Sequence, residues 1–396
     1  MAKSKKKRVL VAMSGGVDSA VAAKLLKNRG YDVTGVFLHF WHDPDLNKAA
    51  SGAEARAVEN KCCSLQALLD AKAVAQKIGI ELYTFNFSNP FKLAVVDNFL
   101  KEYAAGRTPN PCVLCNKKVK IGRLLEQARG LGFDYVATGH YLKIKKGPLK
   151  NKSGRPAGRS GYKLFRAKDK NKDQSYFLYT FNQDQLKHLL FPLGNYTKPQ
   201  VRALARKYKL PVAEKSESQE ICFIPGKHHN DFLKKYLKMK LGDIKLIDED
   251  NKVIGRHQGL PLYTIGQRRG IEIGGTGPYY AAKFDWRRND LYVVKNFDDA
   301  ILYGGELVAE NVTWLSGQAP ALPFKCEAVI RYRHPAVKCV LEKIEKGGNE
   351  GKGKTAKGEK TLNYIVKFKE PQRAITPGQS VVFYKGAEVL GGGIIK

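Results

Sequence analysis

The sequence predicts an α/β fold in which a doubly wound, mostly parallel sheet is followed by a small central domain and a C-terminal β-barrel. Strand-like and helix-like segments alternate through the first half of the chain, which is typical of a parallel sheet. Only short strand-like segments follow residue 296, which favours a barrel. The 396 residues also exceed what one core usually covers, so we expect domains at 1–225, 226–295 and 296–396.

The first predicted domain opens with a strand at 8–13, a Gly-Gly turn and a helix at 17–28. Later segments of this alternation are strand-like at 32–38, 81–87 and 135–139 and helical at 64–78, 91–103, 116–131 and 198–210. Residues 211–224 are expected to form a loop. Such alternation places helices on both faces of a parallel sheet.

The rest of the chain, from residue 226 onward, falls into two regions of different composition. Residues 226–295 are rich in Gly, Lys and Arg around one helical stretch at 230–241, so we interpret them as a connecting domain. Barrel strands are predicted at 324–331, 337–344, 361–368 and 380–384, because apolar residues alternate there between Gly and Pro. Low-complexity composition predicts a disordered tip at 346–360, and residues 146–161 resemble the tip of a hairpin.

The chain is strongly basic, with 69 Lys and Arg against 37 Asp and Glu and a formal charge of +32. Such a surface attracts polyanions, and nucleic acid is the first partner to consider. A lysine-rich proteome would explain the same charge. The first apolar run, Val9 to Met13, is too short for a signal peptide or a membrane span, so we expect a cytoplasmic protein without membrane contact. Thiols stay reduced there, and its seven cysteines favour catalysis, metal binding or core packing over structural disulfides.

The segment Ser14-Gly15-Gly16-Val17-Asp18-Ser19 joins the first strand to the first helix. Its glycines allow backbone N–H groups to turn inward at the positive end of the helix, which suits a polyphosphate. The lysine of kinase-type phosphate loops is missing, which disfavours γ-phosphoryl transfer. Asp18 is the candidate contact for Mg²⁺. The plain alternative is a Ser-Gly-Gly turn that opens a helix.

This segment resembles the PP-loop family of ATP pyrophosphatases, which split ATP into AMP and pyrophosphate to adenylate a carbonyl oxygen. The resemblance implies ATP as a substrate. It leaves the acceptor open, because the family includes GMP, NAD and argininosuccinate synthetases, tRNA lysidine synthetases and tRNA thiolases.

Two cysteine segments narrow the choice. Residues 106–116 contain Cys112 and Cys115 just before a predicted helix, whose N-terminal dipole is expected to lower the pKa of Cys115. Cys222 follows in the loop segment Ser218-Gln219-Glu220-Ile221-Cys222-Phe223. Taken alone, a Cys-x-x-Cys pair indicates a redox or zinc site, and a single cysteine usually packs in a core.

Together with the phosphate loop, these segments resemble the tRNA-specific 2-thiouridylases. Further matching segments lie at 137–141, 172–176, 259–268, 331–333 and 377–379, so the resemblance covers almost the whole chain. It implies that Cys115 is the nucleophile and that Cys222 carries a persulfide received from a sulfur-donor protein. The implied RNA substrate is the anticodon loop of tRNA.

The resemblance also implies the binding residues. Those for the nucleotide are Ala12, Met13, Ser14, Gly15, Gly16, Val17, Asp18, Ser19, Leu38 and Gly139. Those facing the target base are Asn110, Pro111 and Cys112. Those touching tRNA are His140, Lys172, Asp173, Gln174, Arg331, Tyr332 and Gln379. From charge alone, Arg268, Arg269 and Arg333 are further candidates for phosphate contacts, although each is equally explained as a solvated surface charge.

Two positions depart from the family pattern. Many members have Asp where this chain has Cys112, and some have Met where it has Leu38. Because of the first change, Cys112, Cys115 and Cys222 could hold a [4Fe–4S] cluster with one iron open, as an alternative to the persulfide relay. For the other cysteines, Cys62 and Cys63 are expected to be ordinary thiols, and Cys326 and Cys339 to pack in barrel strands.

Two rival functions stand beside this interpretation. A PP-loop tRNA thiolase acting on cytidine would share the phosphate loop but lack the trailing barrel and the segment 219–222. A non-enzymatic, basic RNA-binding protein would have no use for an ATP site or paired cysteines.

Overall fold

The computed structural model describes residues 6–43, 64–150, 156–216, 221–224, 228–271, 273–274, 277–344 and 362–396. The pair Cys62 and Cys63, the predicted tip at 346–360 and the segment 218–220 lie outside these ranges.

The strands are β1 (Arg8–Ala12), β2 (Asp32–His39), β3 (Leu82–Asn86), β4 (Tyr135–Ala137), β5 (Lys143–Lys150), β6 (Pro156–Phe165), β7 (Leu189–Leu190), β8 (Gly242–Leu246), β9 (Lys252–His257), β10 (Tyr280–Asp285), β11 (Asp290–Val294), β12 (Tyr303–Trp314), β13 (Phe324–Val329), β14 (Val337–Lys343), β15 (Tyr364–Arg373), β16 (Ser380–Lys385) and β17 (Glu388–Ile395). The α-helices are α1 (Val17–Asn28), α2 (Leu65–Ile78), α3 (Ser88–Phe91), α4 (Asp97–Ala104), α5 (Pro111–Cys115), α6 (Gly122–Gly130), α7 (Gln183–Leu186), α8 (Lys198–Lys207) and α9 (His229–Tyr236). There are two π-helical turns in the described chain. The turn Lys92–Val96 joins α3 to α4, and the turn Asn116–Lys120 lies between α5 and α6.

The predicted parallel sheet is confirmed. Its order is β3-β2-β1-β4-β7, and every adjacent pair is parallel. Along β1 the side chains alternate between two apolar clusters: Val9 and Val11 pack in one and Leu10 in the other. The strand order changes direction at β1, because β2 and β3 lie on one side of it and β4 and β7 on the other. Open α/β sheets bind ligands in the crevice outside the carboxyl ends of the strands at such a point.

The helix that carries two of the cysteines begins earlier than predicted. Instead of starting at residue 116, helical backbone starts at Pro111, and Asn110 is the N-cap. Proline suits the first helical position because its ring fixes φ and its missing N–H has no partner there in any helix. The helix then passes through the π-helical turn Asn116–Lys120 before it continues as α6.

The central region contains more structure than predicted. A four-stranded sheet of order β10-β11-β8-β9 forms there, and the helix α9 ends at Tyr236 instead of extending to residue 241. β8 buries alternate residues, which is the pattern of a strand with one exposed face. Strands of five or six residues rich in Gly and Lys give too weak a periodic signal to be found in the sequence.

The predicted C-terminal barrel is also confirmed. Strands β12 to β17 form an antiparallel sheet that closes through pairing of β12 with β17, for example Ala309 with Ile395. The sequence analysis missed β12 and β17. The hairpin β5–β6, which lies within the first predicted domain, extends this barrel sheet because Phe165 pairs with Glu388 of β17. In the part of the chain that the structure describes, no helix is long and apolar enough to cross a bilayer.

Candidate active site

The phosphate loop lies at the carboxyl end of β1. Gly15 has φ +68°, a left-handed conformation that favours glycine, and a Cβ there would collide with the carbonyl oxygen of Ala67 in α2. Ser19 Oγ donates to the carbonyl oxygen of Gly16 at 3.0 Å and accepts from the backbone N–H of Ser14 at 3.2 Å. The loop is therefore closed on itself by the serines at its two ends.

Asp18 is held by two donors from distant parts of the chain. The Lys198 ammonium donates to both carboxylate oxygens, at 2.7 and 2.8 Å, and the hydroxyl of Tyr141 donates to Oδ1 at 2.7 Å. The Lys198 side chain is 10% exposed and that of Asp18 is 33% exposed. A largely buried ammonium therefore lies at the first turn of α1, where a polyphosphate would bring negative charge.

Gly139 and Leu38 complete the surroundings predicted for the nucleotide. A Cβ on Gly139 would lie 2.8 Å from the backbone N of Ser19 and the carbonyl carbon of Asp18, so only glycine permits this approach of β4 to the loop. Leu38 lies near the end of β2 and is buried. The structure thus brings the predicted nucleotide residues to adjacent strand ends at the point where the sheet order reverses.

His140 follows Gly139 and is neutral at physiological pH. Its Nδ1 is 2.7 Å from the hydroxyl of Thr138. Burial, reinforced by the positive charge of Lys120, lowers the pKa of His140 to about 3. If His140 contacts tRNA, it does so by hydrogen bonding or packing, since a neutral imidazole cannot pair electrostatically with a phosphate.

Thr108 lies two residues before the N-cap of α5 and contacts both the central region and the barrel region. The Thr108 backbone N–H donates to the carbonyl oxygen of Pro377, and its hydroxyl is 3.1 Å from that of Thr264. The Gln379 side-chain amide donates to the carbonyl oxygens of Thr108 and Pro109 at 2.9 and 3.4 Å. Gln379, predicted to touch tRNA, therefore also fixes the loop that leads into the cysteine helix.

Asn110 and Tyr332 both contact Tyr176. The Asn110 side chain accepts from the backbone N–H of Val113 as the cap of α5 and also hydrogen bonds with Tyr176. Tyr332 packs against Phe177 with 4.5 Å between ring centroids, and against Tyr176 at 6.2 Å. These contacts bring together the residue predicted to face the base and a residue predicted to touch tRNA. Arg331, Arg333, Arg268 and Arg269 are exposed.

The segment 172–174 has a clear structural role. Gln174 exchanges hydrogen bonds with the backbone of Tyr141 through its side chain and its N–H, both at 2.9 Å. Asp173 accepts from the backbone N–H of Ala167 and from the hydroxyl of Ser175. Burial raises the pKa of Asp173. These bonds fix the loop beside the phosphate loop, and contact of Lys172, Asp173 and Gln174 with tRNA stays a prediction.

The cysteines differ in their surroundings. Cys112 is exposed in the first turn of α5, whereas Cys115 is its last residue and is 7% exposed. The expectation that a helix N-terminus acts on Cys115 was wrong, because the helix begins at Pro111. Cys222 is half-buried in a turn beside Phe223, which packs edge-to-face against Phe91 and Phe99. Cys115 and Cys222 both contact this apolar cluster.

The residues fit magnesium better than an iron–sulfur cluster. Mg²⁺ is usually held by one or two carboxylates together with substrate phosphates, and Asp18 supplies such a carboxylate. A carboxylate has four lone pairs, so Asp18 can hold its donors and a metal ion together. Among the described residues, which include Cys112, Cys115 and Cys222, no three Cys, His, Asp or Glu side chains are grouped to hold a metal ion. The arrangement therefore does not form the ligand set expected for a cluster.

The sequence analysis missed three residues at the phosphate loop. Lys198 and Tyr141 bind Asp18, and the Lys215 ammonium donates to the carbonyl oxygen of Gly15 at 3.0 Å. Lys198 and Lys215 lie 180 and 200 residues from their partners, so no local spacing could reveal these contacts. Their only sequence signal is a lysine just after a capping threonine and a lysine in the loop before Cys222.

Sequence relatives match almost the whole chain, and three family models match successive parts of it. Residues 7–226 match a family model described as the tRNA methyl transferase HUP domain, residues 230–295 one described as the tRNA methyl transferase PRC-barrel domain, and residues 354–395 one described as an aminomethyltransferase beta-barrel domain. The protein named tRNA-specific 2-thiouridylase MnmA of Roseiflexus castenholzii is 44% identical over 393 residues, covering 98% of this chain and 99% of that protein. The chain belongs to the tRNA-specific 2-thiouridylase family. MnmA proteins of Methylobacillus flagellatus and Carboxydothermus hydrogenoformans are 42% and 43% identical, and they cover 98% and 99% of this chain and 99% and 98% of their own lengths.

The family models are described by methyl transfer, whereas the relatives of nearly equal length are named for thiolation. Membership in the 2-thiouridylase family identifies the enzyme class as a sulfurtransferase that modifies tRNA.

Proposed function

We propose that the protein is a tRNA-specific 2-thiouridylase that uses ATP to replace O2 of the wobble uridine with sulfur, giving 2-thiouridine, AMP and pyrophosphate. The observation that carries the proposal is the identity of 42 to 44% to MnmA proteins over almost the entire chain. The meeting of the phosphate loop, Gly139 and Asp18 at one edge of the sheet supports the use of ATP.

The first step is adenylation. O2 of the uridine attacks the α-phosphorus of ATP, and the bond to pyrophosphate breaks. The phosphate loop supplies backbone N–H donors for the leaving pyrophosphate, and Lys198 holds the Asp18 carboxylate in place at the first turn of α1. Magnesium bound through Asp18 would neutralise phosphate charge. The product carries AMP on O2, which makes C2 electrophilic.

Sulfur transfer follows in two exchanges. The terminal sulfur of a Cys222 persulfide attacks C2, and AMP leaves with the former O2. The thiolate of Cys115 then attacks the Cys222 sulfur and breaks the persulfide bond, so the electron pair stays on the sulfur now attached to C2. The products are 2-thiouridine and a Cys115–Cys222 disulfide. A dithiol reductant must reduce that disulfide before the next turnover.

The burial of the two cysteines suits these roles. Cys222 is half-buried and so remains open to a sulfur-donor protein, whereas Cys115 is buried away from water in the same apolar cluster. Exclusion of water protects a persulfide adduct from hydrolysis until Cys115 resolves it. We expect the enzyme to work in the cytoplasm, where tRNA and reducing dithiols are available.

Access to C2 requires the base to leave its stack, which costs less in an anticodon loop than in a duplex. The Asn110–Cys112 segment is the proposed receiver of this base, because Gln379 and Tyr176 hydrogen bond to the residues that lead into α5. The formal charge of +32 supplies attraction for the tRNA backbone.

The test replaces Cys222, the proposed persulfide carrier, and leaves the residues of the ATP site unchanged. Cys222→Ser should retain tRNA-stimulated cleavage of ATP to AMP yet form no 2-thiouridine, as measured by liquid chromatography and mass spectrometry of digested tRNA. Cys326→Ser is the matched control and should form 2-thiouridine normally, because this thiol lies in the barrel. Persistent thiolation by Cys222→Ser would contradict the relay, and thiolated cytidine would identify the other class of thiolase.

A further inference from the structure

Lys215 contacts the phosphate loop through the backbone of Gly15. Its ammonium donates to the carbonyl oxygen of Gly15 at 3.0 Å and pairs with the carboxylate of Asp70 on α2. The Lys215 side chain is 33% exposed and that of Asp70 is 21% exposed, so both groups are partly withdrawn from water. A charge-assisted hydrogen bond is stronger than one between neutral groups.

The contact of Lys215 with the Gly15 carbonyl also determines where the Gly16 N–H points. In a planar trans peptide the carbonyl and the N–H point in opposite directions. The carbonyl of the Gly15–Gly16 peptide points to Lys215, so the Gly16 N–H points to the other side of the loop. Gly15 adopts φ +68°. Without a contact that fixes it, the backbone of a glycine can rotate through more conformations than that of any other residue. The ammonium therefore holds the one peptide that the glycines leave most free to turn.

The segment that carries Lys215 is itself anchored. The Arg202 guanidinium on α8 donates to the carbonyl oxygens of Ala213 and Lys215 at 2.8 and 3.0 Å. Asp70 fixes the ammonium from α2, whose first turn also packs on Gly15 through Ala67. Lys215 thus joins two helices to the turn of the phosphate loop.

We propose that Lys215 is a positioning residue for the phosphate loop, which orients the Gly15–Gly16 peptide so that its N–H binds the β- and γ-phosphates of ATP and the departing pyrophosphate. This inference rests on the proposed function only for the identity of the ligand. Lys215 acts through the peptide and does not itself contact the phosphates. It also lies in the chain segment that leads to Cys222, seven residues later.

The test compares ligands that contain the outer phosphates with one that lacks them. Binding of magnesium–ATP, magnesium–pyrophosphate and AMP to the full-length protein is measured by isothermal titration calorimetry. Lys215→Met should weaken binding of ATP and pyrophosphate by about tenfold or more, the effect of losing one charge-assisted hydrogen bond. Binding of AMP should change by less than about twofold, because AMP lacks the groups that the Gly16 N–H holds.

Two further variants make the result specific. Lys215→Arg retains the charge and should recover most of the pyrophosphate affinity, which a purely structural defect would not predict. Lys207→Met, an exposed lysine on α8, is the matched control and should bind all three ligands as the wild type does. Equal weakening of AMP and ATP binding by Lys215→Met, or unchanged pyrophosphate binding, would overturn the inference. A wild-type protein that binds neither ATP nor pyrophosphate would instead refute the proposed ATP site.

Discussion

Burial lowers the pKa of several histidine side chains in the folded protein. His140 is kept neutral by burial and by the nearby positive charge of Lys120, which lower its pKa to about 3. Burial also lowers the pKa of His39, His229 and His257. Each of these residues takes up a proton more readily in the unfolded chain than in the folded protein.

The pH dependence of stability should show this effect. Below the ordinary histidine pKa of 6.5 and down to about 3, the unfolded state binds a proton at His140 that the folded state does not, so stability falls as pH is lowered. His140→Asn retains a polar partner for Thr138 but cannot take up that proton. Its unfolding free energy in urea should therefore fall less steeply than that of the wild type between pH 6.5 and 5.

The comparison isolates His140 because the other histidines are the same in both proteins. Equal slopes against pH for the wild type and His140→Asn would show that the His140 imidazole already takes up protons freely in the folded state.

At the scale of elements, the helices and strands that a local pattern of apolar residues and turn residues defines could be predicted from the sequence. The strand, the Gly-Gly turn and helix α1 follow one another within 21 residues of the chain, so a local sequence pattern was enough to find the phosphate loop. The start of α5 was missed because Pro111 signals a helix only when Asn110 is recognised as its cap. The ion pair between Asp18 and Lys198 could not be found, because only the packing of α8 against α1 brings the residues together.

The barrel strands β13 and β14 carry a pair of thiols that sequence reasoning treated as ordinary core residues. Cys326 and Cys339 are directly opposite each other, with 3.6 Å between their sulfur atoms. Directly opposite residues of antiparallel strands have Cα separations within the range that a disulfide spans. The hydrogen bond between the thiols and burial raise the pKa of Cys326, so its thiolate is scarce at neutral pH.

We expect an oxidising diazene such as diamide to join these two thiols, with the lost hydrogens reducing the diazene to a hydrazine. Formation should be slow at neutral pH and faster as pH rises, because the thiolate is the attacking species. Peptide mapping of the folded protein in a Cys115→Ser/Cys222→Ser background measures the bond. Oxidation of either thiol to other products, with no peptide linking the two strands, would contradict this geometry.

At the scale of the whole molecule, the barrel positions the loop that leads into the cysteine helix. Pro377, Gly378 and Gln379 contact Thr108 from the barrel side, and Thr264 contacts it from the central region. The Trp286 ring also packs over Gly106, where a Cβ would lie 2.5 Å from the ring. The barrel is therefore a structural support of the loop that leads into the cysteine helix, a role that no motif in the chain indicated.

Gly378→Ala tests this support. Gly378 has φ +90°, and a Cβ would lie 3.0 Å from the backbone N of Thr108, so alanine should strain the backbone and push the loop away. The strain should cost about 1–3 kcal/mol of stability, and thiolation should fall more than ATP binding does. Gly386→Ala is the matched control: it has φ +59°, and nothing lies within 4 Å of its Cβ position.

The control shares the backbone strain and lacks the contact with Thr108, so it should lose stability without a selective loss of thiolation. Equal effects of the two substitutions on thiolation would show that the barrel does not position the loop.

In the proposed mechanism, O2 of the uridine attacks ATP before sulfur replaces it. The most direct measurement uses tRNA whose wobble uridine carries heavy oxygen at O2, together with purified protein, magnesium–ATP and a persulfide donor, and determines the mass of the AMP formed. Adenylation at O2 predicts AMP heavier by one oxygen label, in a one-to-one ratio with 2-thiouridine. Unlabelled AMP, or ADP in place of AMP, would contradict adenylation at O2.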